Sequence, residues 1–377
     1  MQFTISHQDK DTSARQGTLT TNHSDIQTPV FMPIGTQGVV KTIDPEVLTH
    51  LDTQIILGNT YHLYIRPGHE LIHHSGGLHS FMNWDNSILT DSGGFQIFSL
   101  ARLNKISDEG VEFQSHLDGS RHFFTPEISM DIQRHLGSDI IMAFDECPPG
   151  QADEKTVKRA VDRTTRWIEE CRAFLNENES LYDWTQMLFP IVQGGIFPNL
   201  RKESACSLIP YADSGMAIGG LAVGEEKNAM FETIHLMDSL LPKDQPRYLM
   251  GVGRPTDLVK SVQSGIDMFD CVLPTRNARN GQLFTSKGII NIGNKIHKES
   301  FQKLDPNCGC YTCKHFSRSY LRHLFNIKEV LGLRLATIHN LTYYMTLMET
   351  IRKNIKSECF SSWSNAYLSE MADHKGM

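Results

Sequence analysis

Eight short apolar runs, each closing on a glycine or a polar residue, recur along the chain. They are PVFMPIG (29–35), TQIILGNT (53–60), NSILTDSGG (86–94), SDIIMAFDEC (138–147), LFPIVQGG (188–195), GMAIGGL (215–221), RYLMGVG (247–253) and MFDCVLPT (268–275). Most are apolar at consecutive positions, the pattern of strands buried on both faces. Helix signals fill the gaps: DPEVLTHL from Asp44, TPEISMDIQRHLG from Thr125, the stretch 153–178, PNLRKESACSL, EKNAMFETIHLMDSLL and RPTDLVKSVQSG. Alternation of strand and helix over eight units predicts a closed (β/α)8 TIM barrel, with a doubly wound open sheet as the structural alternative. One segment breaks the alternation: GVEFQSHLDGSRHFFTPE (110–127) predicts a β-hairpin after the third strand, turning at Asp118-Gly119 as a two-residue loop.

The barrel reading sorts the polar residues, because such folds collect their chemistry where strands end. Here the strand ends supply Asn59, Asp91, Asp145, Gln193, Gly220 and Asp270. A single aspartate at such a place often caps a helix, but three carboxylates facing one space can divide acid, base and nucleophilic work. Gly93-Gly94 and Gly219-Gly220 lie beside these acids, where bare backbone can approach a flat ligand; Phe95 and Met250 are candidate walls for that slot.

Composition changes the picture in two ways. The 377 residues are 40% hydrophobic, enough for one large core; the start lacks a signal-peptide layout and no run is long enough to span a bilayer, so a cytoplasmic protein is expected. The net charge of −7 argues against a nucleic-acid partner, yet residues 270–334 carry eleven Lys and Arg against four acids, a local excess of +7. That window begins at Asp270 and includes Arg276 and Arg279, so a basic surface beside the barrel mouth is expected, a solvated face being the plainer reading.

Cysteine usage adds a second kind of site. Three of the eight cysteines fall in DPNCGCYTCKHF as Cys308, Cys310 and Cys313, with His315, His323 and His339 within reach in sequence. Three thiolates and one imidazole would close a tetrahedral zinc site of structural type. Cys147, Cys171, Cys206, Cys271 and Cys359 are scattered and read as core or near-core residues.

Taken together, PVFMPIGTQGVVK, GNTYHLYIRPG, DSGGFQIFSL, FQSHLDGSRHFFTPE, GSDIIMAFDEC, IVQGG, AIGGLAVGE, MFDCVLPTRNARNG and the cysteine cluster resemble, in order and over nearly the whole chain, the tRNA-guanine transglycosylases. The resemblance implies a barrel with a zinc subdomain, an enzyme that exchanges the wobble guanine of certain tRNA anticodons for a 7-deazaguanine, and a homodimer. It implies Asp270 as nucleophile and Asp91 as general acid/base. Asp145, Gln193, Gly220 and Leu221 would read the base, Phe95 and Met250 would stack on it, and Cys308, Cys310, Cys313 and His339 would hold zinc. Phe95 stands where relatives often carry tyrosine, which keeps the stacking face and drops the hydroxyl. Cys147 and Val223 match bacterial members and imply 7-aminomethyl-7-deazaguanine, the queuosine precursor, as the incoming base. Arg276 and Arg279 are expected to hold anticodon phosphates, a salt bridge of Arg276 to Asp270 being the alternative. A metal-dependent hydrolase and a non-catalytic RNA-binding subunit fit less well: the first strand end offers no histidine, and both acids are present. The layout expected is a barrel over residues 1–278 with a hairpin inserted near 110–124, a zinc subdomain over 279–340, and a C-terminal helix over 341–377 packing back on the barrel.

Overall fold

The computed structural model describes residues 2–100, 104–212 and 214–373. Eight parallel strands close on themselves. In chain order they are Val30–Met32 with Ile34–Gly35, Ile55–Gly58, Ser87–Thr90, Ile140–Met142, Met187–Phe189 with Ile191–Val192, Met216–Ile218, Arg247–Leu249 and Met268–Asp270. The last strand returns to the first, with Asp270 opposite Met32. The first and fifth strands are split at Pro33 and Pro190, which lack the N–H that a ladder needs. Each half then serves a different neighbour: Ile34–Gly35 pairs with the second strand and Val30–Met32 with the eighth, while Met187–Phe189 pairs with the fourth and Ile191–Val192 with the sixth.

All of these strand residues are buried, which is why the runs read as continuous rather than alternating. Met32, Leu57, Leu89, Met142, Phe189 and Met268 pack inside the barrel. An antiparallel sheet of Gln2–Gln8, Arg15–Thr20 and Asp25–Thr28 leads into the first barrel strand and adds Leu19 and Ile26 to that interior. The helices start where their capping residues stand: Asp44, Thr125 and Asp153 each accept a hydrogen bond from the backbone three residues on, and Gly137 ends its helix at a φ of 71°.

Three expectations need correction. The inserted hairpin joins Val111–Gln114 to Arg121–Phe124 with Gln114 opposite Arg121, so its loop is 115–120 rather than a two-residue turn. The Ser115 N–H bonds the Ser120 carbonyl at 2.8 Å, and Asp118 accepts from the Ser120 N–H and O–H, side-chain bonding that stabilises a wider loop. A third strand, Asn104–Ile106, joins this sheet. Second, no break occurs at residue 340: one helix, Val330–Lys356, runs through it, and a further helix, Phe360–Asp373, follows. The long helix is the barrel's eighth. Its Tyr344, Leu347, Met348 and Ile351 join the layer between strands and helices, while Leu335 and Ala336 belong to the separate core around the cysteines. Third, Cys206 and Cys359 are exposed, since each lies on the outer side of a helix or its end rather than in the core.

Among the described residues no helix is long and apolar enough to cross a membrane.

Candidate active site

The C-terminal ends of the strands surround a cavity of about 510 Å³. Asn59, Asp91, Phe95, Asp145, Cys147, Gln193, Gly220, Leu221, Val223, Met250, Asp270 and Arg276 all line it, whereas Gly93 and Gly94 do not: a Cβ on Gly94 would meet the Asp145 carbonyl at 2.8 Å, and one on Gly93 would face Tyr61 and Phe124. Arg279 and the cysteine cluster do not line it.

Asp270 ends the eighth strand and is 8% exposed. Its Oδ1 accepts from the Tyr248 hydroxyl at 2.6 Å and from the Gly251 N–H at 2.8 Å. Among the described residues Oδ2 has no hydrogen-bond donor, so one oxygen is fixed and the other is free. Burial raises the pKa of this carboxyl, and the two donors oppose that rise by favouring the charged form. Arg276 forms no ion pair with it among the described residues. Arg276 stands exposed at the rim, one helical turn from Arg279, whose buried Nη1 has no hydrogen-bond partner; burial, then the charge of Arg276, lowers the pKa of Arg279.

Asp91 is built in the opposite way. Both oxygens are engaged: Oδ1 by the N–H groups of Thr60 at 2.8 Å and Gly93 at 3.2 Å, Oδ2 by the amides of Asn59 and Gln96. Burial still outweighs these donors and pushes its pKa up to about 6. The Thr60 hydroxyl bonds the Asp91 carbonyl, tying the second strand end to the third.

Asp145 accepts from Gln193 Nε2 at 2.7 Å and from the Ser92 hydroxyl at 3.1 Å. Its pKa is also pushed up to about 6, mainly by burial, with the charges of Asp91 and Glu146 adding to the rise. The Gln193 Oε1 is buried with no hydrogen-bond partner. Directly against it runs Gly219-Gly220: a Cβ on Gly219 would lie 2.6 Å from the Gln193 Nε2, and one on Gly220, at φ +64°, 2.4 Å from its Oε1. Only glycine lets this strand end reach the amide. Arg201, fully buried, donates to the carbonyls of Gly195 at 2.7 Å, Val192 at 2.8 Å and Gly220 at 3.4 Å and so fixes the glycine turn.

Phe95 is 51% exposed and lines the cavity, and Met250 is partly buried at the end of the neighbouring strand, its N–H on the Ile218 carbonyl just before the glycines. Burial pushes the Cys147 thiol up to about 12, so it meets a ligand as a neutral, small side chain. Val223 lies in a turn whose amides are held by Glu225, which accepts from the N–H groups of Ala222 and Val223 at 2.5 and 2.9 Å. Sequence reasoning passed over Tyr248, Arg201 and Glu225. Tyr248 sits within an apolar run and reads as core, and a buried arginine without an acidic partner leaves no pattern at all. Glu225 stands in the quoted AIGGLAVGE, whose glycines drew the attention.

Beyond the barrel, Cys308, Cys310, Cys313 and His339 bring their ligand atoms within 4.8 Å of one another, which chooses His339 from the three histidines open in sequence. His339 Nε2 lies 2.7 Å from the Phe284 carbonyl, which can only accept, so Nδ1 presents its lone pair to the sulfurs of Cys313 at 3.4 Å and Cys310 at 3.6 Å. A tetrahedral ion with sulfur at about 2.3 Å and nitrogen at about 2.0 Å would set S···N near 3.5 Å. The donor set therefore fits a closed metal site.

Fold and site together define a (β/α)8-barrel protein with three buried carboxylates at its mouth and, alongside, a Cys3His group whose geometry suits a metal ion. Residues 9–373 match the family model described as queuine tRNA-ribosyltransferase. The chain is 52% identical over 366 residues to the queuine tRNA-ribosyltransferase of Halothermothrix orenii, covering 97% of this chain and 96% of that one. It is 54% identical over 358 residues to that of Thermoanaerobacter sp. (strain X514), covering 95% and 94%. With that of Caldanaerobacter subterraneus subsp. tengcongensis it shares 52% over 368 residues, covering 98% and 97%. The chain belongs to the queuine tRNA-ribosyltransferase family.

Proposed function

We propose that the protein is a tRNA-guanine transglycosylase that replaces the wobble guanine of an anticodon with 7-aminomethyl-7-deazaguanine, through a covalent ribosyl-aspartate intermediate. The observation that carries this reading is the Asp270 carboxylate on the cavity wall, with Oδ1 pinned by Tyr248 and Gly251 and, among the described residues, neither a hydrogen-bond donor nor a cation on Oδ2. A carboxylate so held can attack C1′ of a ribose as guanine departs, and a second attack by the incoming base restores the original configuration. Asp91, with a pKa near 6, is the group to give the leaving base a proton and take one from the entering base near neutral pH.

The base would lie between Phe95 and Met250, its Watson-Crick edge on the Asp145 carboxylate. Rotation of the Gln193 amide would turn its N–H groups to the guanine carbonyl, and the backbone of Gly220 and Leu221 would complete the recognition. Cys147 and Val223, both on the cavity wall, leave room for the aminomethyl arm. To reach Asp270 the nucleotide must swing out of the anticodon loop, and Arg276 with Arg279 would hold its phosphates. Zinc is the metal that the Cys3His group suits; it would order the basic region between Gln282 and His339 and take no part in the reaction. The family resemblance adds a homodimer and a cytoplasmic location to this reading. Incubation with unmodified tRNA and radiolabelled guanine tests it: label should enter the tRNA, and a failure of exchange would end the proposal.

A further inference from the structure

Two clusters outside the cavity combine two histidines with one aspartate, and their geometries differ. In the first, His23 and His79 stack with ring centroids 3.6 Å apart and planes 12° apart, and His23 Nδ1 lies 2.7 Å from the buried Asp139. Rings lying flat on each other cannot both aim a lone pair at one ion about 2.0–2.1 Å away. That cluster is a stacked pair held to Asp139 through His23, and neither nitrogen of the buried His79 makes a hydrogen bond among the described residues.

The second cluster is His69, Asp131 and His135, half-buried on the outside of the barrel, with ligand atoms within 4.8 Å of one another. It joins two helices. His69 begins the helix His69–His74, and Asp131 and His135 lie four residues apart on the helix Pro126–Leu136, a spacing that puts them on one face. Here the imidazoles of His69 and His135 meet edge to face, with centroids 5.1 Å apart and planes 89° apart, the splayed arrangement of two rings that share an ion. His73, one turn on from His69, meets His135 in the same way at 5.3 Å and 81°.

The free lone pairs are set by the outer hydrogen bonds. His135 Nδ1 lies 2.8 Å from the Asp131 backbone carbonyl, which can only accept, so Nδ1 carries the hydrogen and Nε2 is the donor atom. The Tyr182 hydroxyl donates to the His135 carbonyl, so His73 Nδ1, 3.1 Å from the Tyr182 hydroxyl oxygen, gives its hydrogen to that hydroxyl and keeps Nε2 free in turn. Neither nitrogen of His69 makes a hydrogen bond among the described residues. Asp131 Oδ1 lies 3.1 Å from Arg134 Nη1 and 3.5 Å from His135 Nδ1, and Oδ2 takes no hydrogen bond among the described residues.

We propose that His69, Asp131 and His135 form a second metal site, distinct from the cysteine cluster, that takes a late first-row divalent ion such as Zn²⁺. Three protein ligands at a half-buried position leave a coordination place for water or for His73, so the ion exchanges with solvent. Its effect is to staple the helix His69–His74, which comes next after the helix Thr60–Ile65 whose first N–H bonds Asp91, to the helix whose Ser129 hydroxyl bonds the Ser92 carbonyl at 2.8 Å.

The test is metal content of the full chain, dialysed against micromolar Zn²⁺ and freed of unbound ion. The wild type should hold two ions per chain, and His69→Asn and His135→Asn one each, with folding checked by circular dichroism. Having both variants keeps the test open if one does not fold. Cobalt titration distinguishes the sites: the second equivalent should give the weak visible bands of nitrogen and oxygen ligands, without thiolate charge transfer. One ion in the wild type, two in a folded variant, or thiolate bands from both equivalents would overturn the proposal.

Discussion

The barrel mouth and the cysteine cluster both bury polar groups, and they treat them in contrary ways. At the mouth, hydrogen bonding is left incomplete among the described residues: Asp270 Oδ2 has no donor, the buried Gln193 Oε1 has no partner, and the exposed Arg276 has no acid. At the cluster, three sulfurs and one nitrogen converge on a single point, and the remaining nitrogen of His339 is spent on the Phe284 carbonyl. An unpartnered buried polar group costs about 1–3 kcal/mol, a cost that a binding site recovers when its ligand arrives and that a purely structural element has no reason to carry. Incomplete pairing thus marks the place for turnover, and complete pairing marks the place for stability.

The two regions should break differently. The largest effect is expected from Asp270→Asn, which keeps the shape of the mouth but removes the attacking charge; guanine exchange should vanish while tRNA still binds. Retained exchange would place the nucleophile elsewhere. Asp91→Asn should slow exchange by about 10²- to 10⁴-fold, the ordinary worth of a general acid or base, and should alter the wild-type rate profile near pH 6, where Asp145 also titrates. Exchange at the wild-type rate would clear Asp91 of the role.

At the cluster, Cys310→Ser should release the metal and expose the amides of residues 282–326 to hydrogen exchange, while the barrel strands stay protected and tRNA binding weakens. Loss of metal with unchanged exchange and binding would remove the structural role. Smaller still, Arg276→Ala and Arg279→Ala should each lower the salt dependence of tRNA binding by about one phosphate contact. An unchanged slope would leave both arginines outside the RNA track.

The mouth also carries a stability cost that the cluster lacks. Asp145 has a folded pKa near 6 against 3.8 as its ordinary value, so between those values the folded chain holds a proton that the unfolded chain has lost. Stability should therefore fall as pH rises through that window. Asp145→Asn removes the titration and should stabilise the protein above pH 7 by up to about 2–3 kcal/mol, with no gain near pH 4. Denaturant unfolding at the two pH values measures it, and an equal effect at both would assign the change to packing.

What could be seen in the sequence followed from the same division. All eight barrel strands showed because burial on both faces leaves unbroken apolar runs, and each carboxylate of the mouth sits at the end of one. The sheet from Gln2 to Thr28 did not show: its first strand, QFTISHQ, is mostly solvent-facing and offers only Phe3 and Ile5 as apolar positions, too short an alternation to stand out. The long helix was legible only from Leu341 onward, because its first turns, VLGLRLATIHN, include a glycine and serve the cysteine core on one face and the barrel on another. Tyr248 was hidden by its own burial; its hydroxyl acts only through the fold that brings it under Asp270. The fourth metal ligand could not be chosen from spacing, since His339 lies a full helix away from the cysteines and is delivered by the eighth barrel helix.

The central claim is that the free oxygen of Asp270 becomes covalently attached to ribose. Enzyme and unmodified tRNA, mixed without the incoming base, denatured, digested with protease and nuclease and read by mass spectrometry, measure it directly. An RNA fragment is expected on the peptide containing MFDCVLPTR, discharged by added 7-aminomethyl-7-deazaguanine and absent in Asp270→Asn. An adduct on the TDSGGFQ peptide would exchange the roles of Asp91 and Asp270, and an exchange-competent enzyme that yields no adduct would contradict the covalent mechanism.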